Sequence, residues 1–237
     1  MKVVILCGGI GSRLAEETKL IPKPMVKIGN LPILNHIIKI YNNYGFKEII
    51  LATGYKSKII EKYYKNKKNI KCVYTGEKTL TGGRLLRLKK YFKPNENFML
   101  TYGDGLTNQN LNKLVKFHLR HKKIATLTSV KPPARFGEVF LKGNRVSNFE
   151  EKSQLKSNWI NGGFFVFSYK IFKFISGDQI MLEREPFKKL TKSNQLMAYK
   201  HFGFWQCMDT MRDKNILKNM WSKKKAPWTK LDNVQKV

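Results

Sequence analysis

The sequence predicts an α/β protein built on a mixed, mainly parallel sheet flanked by helices. Two observations carry this. The run Val3 to Cys7 is continuously apolar and rich in β-branched residues, and it ends in Gly8-Gly9, which reads as a strand buried on both faces feeding a tight turn. Downstream, strand-like runs alternate with stretches of helical spacing as far as Val130, the order expected where right-handed crossovers join parallel strands.

After the first strand and a long loop, Pro32 takes a first helical position. Ile33, Leu34, Ile37, Ile38, Tyr41 and Tyr44 follow at helical spacing, and Gly45 stands where a terminating glycine belongs. The alternation continues with Glu48 to Thr53 as strand, Ser57 to Tyr64 as helix and Ile70 to Tyr74 as strand. A helix is then predicted from Thr81 to Tyr91, a strand from Phe98 to Tyr102, a helix from Leu111 to His121 and a strand from Ile124 to Val130. The remainder is more mixed, with strands expected at Glu138 to Leu141, Arg145 to Phe149, Ile160 to Phe167 and Leu196 to Tyr199. Thr210 with Asp213 forms the sequence of a capping box, opening a last helix that ends near the lysines at 223 to 225. No linker, low-complexity tract or repeat interrupts the 237 residues, so one domain, 1–237, is expected.

Composition narrows the function classes. The longest apolar stretches are far short of the ~20 residues that cross a bilayer. Residues 3–7 are too short for a signal-peptide core, so a cytoplasmic protein with no membrane partner is expected. Cys7, Cys72 and Cys207 lie far apart and without CxxC spacing, arguing against a disulfide framework or a zinc site and for buried thiols. His36, His118, His121 and His201 form no metal motif. The 46 Lys and Arg against 16 Asp and Glu give a net charge of +30, which raises a nucleic-acid reading. The lysines are spread along the whole chain, however, and nucleic-acid binding needs charge gathered along one path. A solvated surface is the preferred reading, and nucleic acid is not expected as a partner.

In an open α/β sheet, ligands bind beyond the carboxyl ends of the strands. The first such loop reads Gly8-Gly9-Ile10-Gly11-Ser12-Arg13-Leu14, where glycines let backbone N–H groups approach phosphate oxygens and Arg13 adds a planar fork of donors. It is not a dinucleotide fingerprint, because Leu14 holds the third glycine position, nor a P-loop, because no Gly-Lys-Ser/Thr follows. Lys23, between Pro22 and Pro24, is expected on a stiff, extended backbone as a pre-positioned cation. Asp104 follows an apolar strand and Asp209 precedes a helix; the pair could hold a Mg²⁺ that bridges nucleotide phosphates, although an Asp-Gly turn and a helix flank would explain each singly. Thr79 to Arg84 enters a helix through Gly82-Gly83, where a base or phosphate could meet backbone N–H groups, or where a plain glycine-rich helix start could sit. Glu150-Glu151-Lys152 and Asn161-Gly162-Gly163 form a last cluster, with Lys152 suited to a monophosphate and Glu151 to hydroxyls, or else a charged hairpin edge.

With these residues in view the chain resembles the sugar-phosphate nucleotidyltransferases, whose signature is GGxGxRL followed by PKPM. The resemblance runs nearly end to end. It extends to TGGR at 81 to 84, TYGDG at 101 to 105, Ala125 to Gly137, INGGFFVF at 160 to 167, GFWQCMDTMRDK at 203 to 214 and APW at 226 to 228. The resemblance implies a Rossmann-like fold with a mainly nucleotide-binding half at 1–130 and a mainly sugar-phosphate-binding half at 131–237. It places Leu6, Cys7, Gly8, Gly9, Gly11, Ser12, Arg13, Lys23, Thr79, Gly82, Arg84 and Gly103 at the nucleotide. Arg13, Lys23 and Asp104 would be catalytic, Asp104 and Asp209 would hold Mg²⁺, and Glu151, Lys152 and Gly162 would meet the sugar phosphate. CTP and glucose 1-phosphate are the implied substrates, and a homo-oligomer the implied assembly. The chain departs from the family in Ser12 for Thr, Cys7 for Ala and a shorter segment from Lys65 to Tyr74. Two rivals stand beside this: the same transfer with UTP, dTTP or another sugar phosphate, and a non-catalytic basic nucleic-acid binder on the same fold. An NAD-dependent enzyme is excluded by Leu14.

Overall fold

In a computed structural model that describes residues 1–132, 137–150 and 159–230, every residue of the first strand, β1 (Val3–Cys7), is buried. Ser12–Leu14 forms a 3-10 turn running into the single turn α1 (Ala15–Thr18), and Lys23–Met25 forms a second 3-10 turn. The two-residue strands β2 (Lys27–Ile28) and β3 (Leu31–Pro32) lead into α2 (Ile33–Asn43). Then follow β4 (Ile49–Thr53), α3 (Ser57–Tyr64), β5 (Ile70–Tyr74), α4 (Thr81–Arg87), β6 (Asn97–Tyr102), β7 (Gly105–Thr107), α5 (Leu111–His121) and β8 (Ala125–Val130). The second half holds β9 (Glu138–Lys142), β10 (Arg145–Glu150), β11 (Ile160–Ser168), α6 (Glu185–Lys192), β12 (Leu196–His201), β13 (Trp205–Cys207) and α7 (Met211–Ser222).

Seven strands pair in the order β12-β8-β11-β6-β1-β4-β5, so both halves of the chain contribute to one sheet. All its pairings are parallel except those of β11, which runs antiparallel between β6 and β8. β1 is apolar at every position because both sheet faces are covered. Val3, Ile5 and Cys7 face a core with Ile33, Leu34, Ile37 and Tyr41 of α2, while Val4 and Leu6 face one with Leu85, Leu88, Phe165 and Phe167. Truncating one of these fully buried aliphatic side chains to Ala costs about 2–5 kcal/mol.

The structure departs from the sequence reading at short elements. The helix expected to reach Tyr91 ends at Arg87 and gives way to a 3-10 turn, Lys89–Tyr91, a common way for a helix to finish. Helix α6 was not predicted; it spans about two turns, carries a proline as its second residue and buries only Pro186, Phe187 and Leu190. Strands β7 and β13 pair with each other over three residues apiece, too few for a periodic signal. The capping box is present, with Thr210 and Asp213 each accepting from the other's backbone N–H. No helix among the described residues is long and apolar enough to cross a membrane.

Candidate active site

The register sets Leu6 beside Tyr102 and Cys7 beside Thr53, so the loops after β1, β4 and β6 leave the sheet together. They open a cleft of about 780 Å³ lined by every predicted nucleotide-binding residue except Gly82, and by Asp104. The carbonyl of Gly8 is turned inward, accepting from Tyr55 N at 3.1 Å and Arg84 Nη2 at 2.8 Å. The chain then passes exposed through Gly9 and Ile10 to Gly11, at φ +71°, where a Cβ would stand 2.9 Å from that of Lys23. A side chain at Gly11 would meet both an unfavourable backbone angle and the lysine stem.

Lys23 is the centre of the charge arrangement. Pro22 is extended, but Lys23–Met25 closes into a 3-10 turn with Met25 N bonded to Pro22 O at 2.8 Å, so a hydrogen-bonded turn holds the lysine instead of the extended run expected. Its ammonium lies 2.5 Å from Oδ2 of Asp104 and 2.6 Å from Oδ1 of Asp209. Arg13 Nη1 reaches the other oxygen of Asp209 at 2.9 Å. Burial alone would lower the pKa of Lys23, but Asp104 and Asp209 outweigh it and raise it; burial alone would raise that of Asp209, but Lys23 and Arg13 hold it below the usual range. Lys23 and Asp209 therefore form a charged pair at neutral pH.

The backbone around this cluster is fixed by residues that motif reading left out. Asp213, buried, accepts from the backbone N–H of Asp209 at 3.1 Å and of Thr210 at 2.9 Å, so the capping box also aims Asp209. Gln206 donates to the other oxygen of Asp213. Gly103 lets the loop after β6 pass close to β1: its N–H bonds Leu6 O at 3.1 Å, and a Cβ there would press on Pro24 and on that carbonyl. Cys7 is a buried thiol whose pKa burial pushes well up, whereas Cys72 and Cys207 are half-buried; all three are free.

The segment Thr79 to Arg84 lines the cleft differently from expectation. The N–H groups of Leu80, Gly82 and Gly83 bond to Asp178 O and Ile180 O, so they are not available to a ligand. A Cβ on Gly83 would lie 2.3 Å from Asp178 O, which makes the glycine pair a place where two backbones pack together. Arg84 is 4% exposed and its guanidinium donates to Thr53 O, Gly76 O, Gly8 O, Glu77 O and Thr75 Oγ1. It braces the loops instead of reading a base. Gly162 is buried away from the cleft lining and accepts from Trp205 Nε1 at 2.7 Å. Glu151 and Lys152 lie outside the described residues.

Two carboxylates converging on one cation suit a small hard metal ion. Among the described residues no group of three or more His, Cys, Asp or Glu gathers to cage a metal. A Mg²⁺ that takes two carboxylates and completes its shell with water and substrate phosphates fits this donor set.

A family model described as nucleotidyl transferase matches residues 2–211. The glucose-1-phosphate cytidylyltransferase of Salmonella typhimurium is 42% identical, with 96% of this chain and 98% of that protein covered. The mannose-1-phosphate guanylyltransferase catalytic subunit beta of Danio rerio is 32% identical over 93% of this chain and 64% of that one. Among solved structures, a UDP-glucose pyrophosphorylase complexed with UDP-glucose superimposes with a TM-score of 0.73 at 18% identity, covering 94% of this chain and 98% of that one. HddC from Yersinia pseudotuberculosis complexed with GMP-PN does so with a TM-score of 0.74 at 24% identity, covering 93% and 99%.

Proposed function

This chain belongs to the nucleotidyl transferase family, and we propose that it transfers a cytidylyl group from CTP to α-D-glucose 1-phosphate, giving CDP-glucose and pyrophosphate. The observation that carries the reading is the convergence of Arg13, Lys23, Asp104 and Asp209 beside the glycine loop at one cleft. The 42% identity to a cytidylyltransferase over nearly both full lengths supports the choice of base and sugar.

A phosphate oxygen of glucose 1-phosphate attacks the α-phosphorus of CTP in line. The new P–O bond forms as the bond to the β-phosphate bridging oxygen breaks, and pyrophosphate leaves. Such transfers need little beyond positioning and charge stabilisation. The turned-in carbonyl of Gly8 leaves the following glycine backbone free to approach the triphosphate. Arg13, with its side chain 72% exposed, reaches into the mouth to neutralise the departing pyrophosphate. Lys23 holds phosphate oxygens of the attacking group. Asp104 and Asp209 would hold a Mg²⁺, which when bound supplies positive charge to the triphosphate. Lys152 and Glu151 complete the proposal at the sugar phosphate, and a homo-oligomer is its assembly, supported by the exposed Val139, Leu141, Val146 and Phe149 on the β9–β10 ribbon.

Pyrophosphate release with glucose 1-phosphate and Mg²⁺, measured separately with CTP, UTP, dTTP, ATP and GTP, tests the reading. Clear preference for CTP is expected. Preference for UTP or dTTP would move the base assignment, and no release with any of the five would overturn the activity.

A further inference from the structure

Glu183 lines the same cleft as the glycine loop, yet it belongs to none of the phosphate, metal or sugar-phosphate groups above. A carboxylate in the wall of a cleft that receives a triphosphate is electrostatically unfavourable, so its bonding partners matter. Its two oxygens each accept from a hydroxyl. Tyr102 donates to Oε1, and Thr81 donates to Oε2 at 2.6 Å.

Each of those hydroxyls is tied further on. Thr81 Oγ1 accepts from the backbone N–H of Leu182 at 2.9 Å, which locks the start of α4 to the segment bearing Glu183. Tyr102 Oη accepts from Asn161 Nδ2 at 3.4 Å, and Asn161 Oδ1 accepts from Gly163 N at 2.9 Å. Gly163 sits at φ +76°, and a Cβ there would stand 2.4 Å from Tyr102 Cδ2, so the ring can lie over this strand only because the residue is glycine. Burial and the neighbouring Glu183 charge raise the pKa of Tyr102, keeping it a donor. The chain of bonds runs from α4, beside the nucleotide segment, through the end of β6 to β11 in the second half.

We propose that Glu183 is a positioning residue that clamps the nucleotide wall of the cleft, through Thr81, to its sugar-phosphate wall, through Tyr102 and Asn161. A carboxylate suits this task because it accepts from both hydroxyls at once, whereas a neutral amide offers only one acceptor oxygen. The clamp rests on the reading of this cleft as the site of both substrates. Loosening it moves both walls, so affinity for both substrates falls together while the Lys23, Asp104 and Asp209 cluster is left in place.

The test is steady-state kinetics on full-length E183A, E183Q, Y102F and E183A/Y102F proteins, with calorimetric titration of each of the five nucleoside triphosphates and thermal melts alongside. E183A is expected to raise KM for both substrates about tenfold with kcat within about threefold. E183Q should fall between E183A and the parent. The double variant should be no worse than E183A alone, since coupled residues are not additive. Unchanged KM in a folded E183A protein of lowered Tm would reduce Glu183 to a structural role and overturn the proposal. Independent, multiplicative effects of E183A and Y102F would overturn it too. If the parent uses no CTP, the cytidylyl reading fails by itself. The clamp is then judged on whichever triphosphate binds, where an E183A affinity equal to the parent's would overturn it.

Discussion

The Lys23 ammonium lies 2.6 Å from Oδ1 of Asp209, joining residues 186 positions apart in the chain. That ion pair joins the second half of the chain to the first beside the candidate cleft. Asp209 both neutralises Lys23 and, with Asp104, supplies the hard oxygens that suit Mg²⁺. Asp209→Asn is expected to lower kcat on the order of 100-fold or more. It should also raise the Mg²⁺ concentration needed for half-maximal rate, while Lys23 keeps Asp104 and the fold survives. A Mg²⁺ titration of initial rate on both proteins checks this; an unchanged half-saturating concentration would contradict the assigned metal role.

Arg13 gives a cleaner separation of chemistry from stability. Its side chain is 72% exposed and it pairs with Asp209, an arrangement worth under about 1 kcal/mol. Arg13→Ala should depress turnover on the order of 100-fold with a melting temperature close to the parent's. Near-normal pyrophosphate release from that variant would sink its place in the site.

These two predictions draw on residues whose types and neighbours were legible in the sequence. Gly8 to Arg13 and Asp104 follow apolar strands, where a run of apolar residues stopping at glycine or aspartate is a local signal, while Lys23 stands out between two prolines and Asp209 just before a helix start. The parallel sheet was legible for the same reason: strands such as Ile70–Tyr74 and helices such as Leu111–His121 carry their period within themselves. What was not legible depends on partners remote in sequence. Thr81-Gly82-Gly83-Arg84 looks like a ligand-binding helix start, but the backbone of 178 to 180 fills it and Arg84 turns inward. Nothing within that tetrapeptide reveals this. Glu183 likewise has no motif of its own; it matters through Thr81 and Tyr102, about a hundred positions earlier.

Arg84 shows how much the brace behind the glycine loop should weigh. Its buried guanidinium donates to five uncharged oxygens, and burial lowers its pKa. Arg84→Met would leave the carbonyls of Gly8, Thr53, Gly76 and Glu77 without this donor, at about 1–3 kcal/mol for each that stays dry. A loss of roughly 3 kcal/mol or more is expected, which for a chain of this size lowers the melting temperature by about 6–12 °C. Freed from Arg84, the Gly8 carbonyl can turn, so KM for the nucleotide should rise more than KM for the sugar phosphate. Equal effects on both substrates would show that Arg84 braces the fold generally and not the phosphate loop.

Far from the cleft, two histidines on α5 make stability depend on pH. The buried His118 Nδ1 lies 2.8 Å from Thr126 Oγ1, and His121 Nε2 approaches the same oxygen at 2.7 Å. Lys123 N donates to His121 Nδ1 at 2.9 Å, so that nitrogen is an acceptor and Nε2 carries the proton. Burial first, then the neighbouring His121, lowers the pKa of His118 from 6.5 to about 4, and Arg120 and Lys123 near His121 also oppose added charge. The unfolded chain therefore binds a proton at this residue before the folded one does. Its contribution to stability is complete above about pH 6.5 and is lost as pH falls toward 4. The lost stability is on the order of 3 kcal/mol. Urea unfolding of the parent at a series of pH values should show this slope, and His118→Gln should flatten it without abolishing it, because His36 is shifted down by burial as well. Parallel slopes for the two proteins between pH 6.5 and 4 would mean that His118 already carries its charge in the folded state, against the geometry that surrounds it.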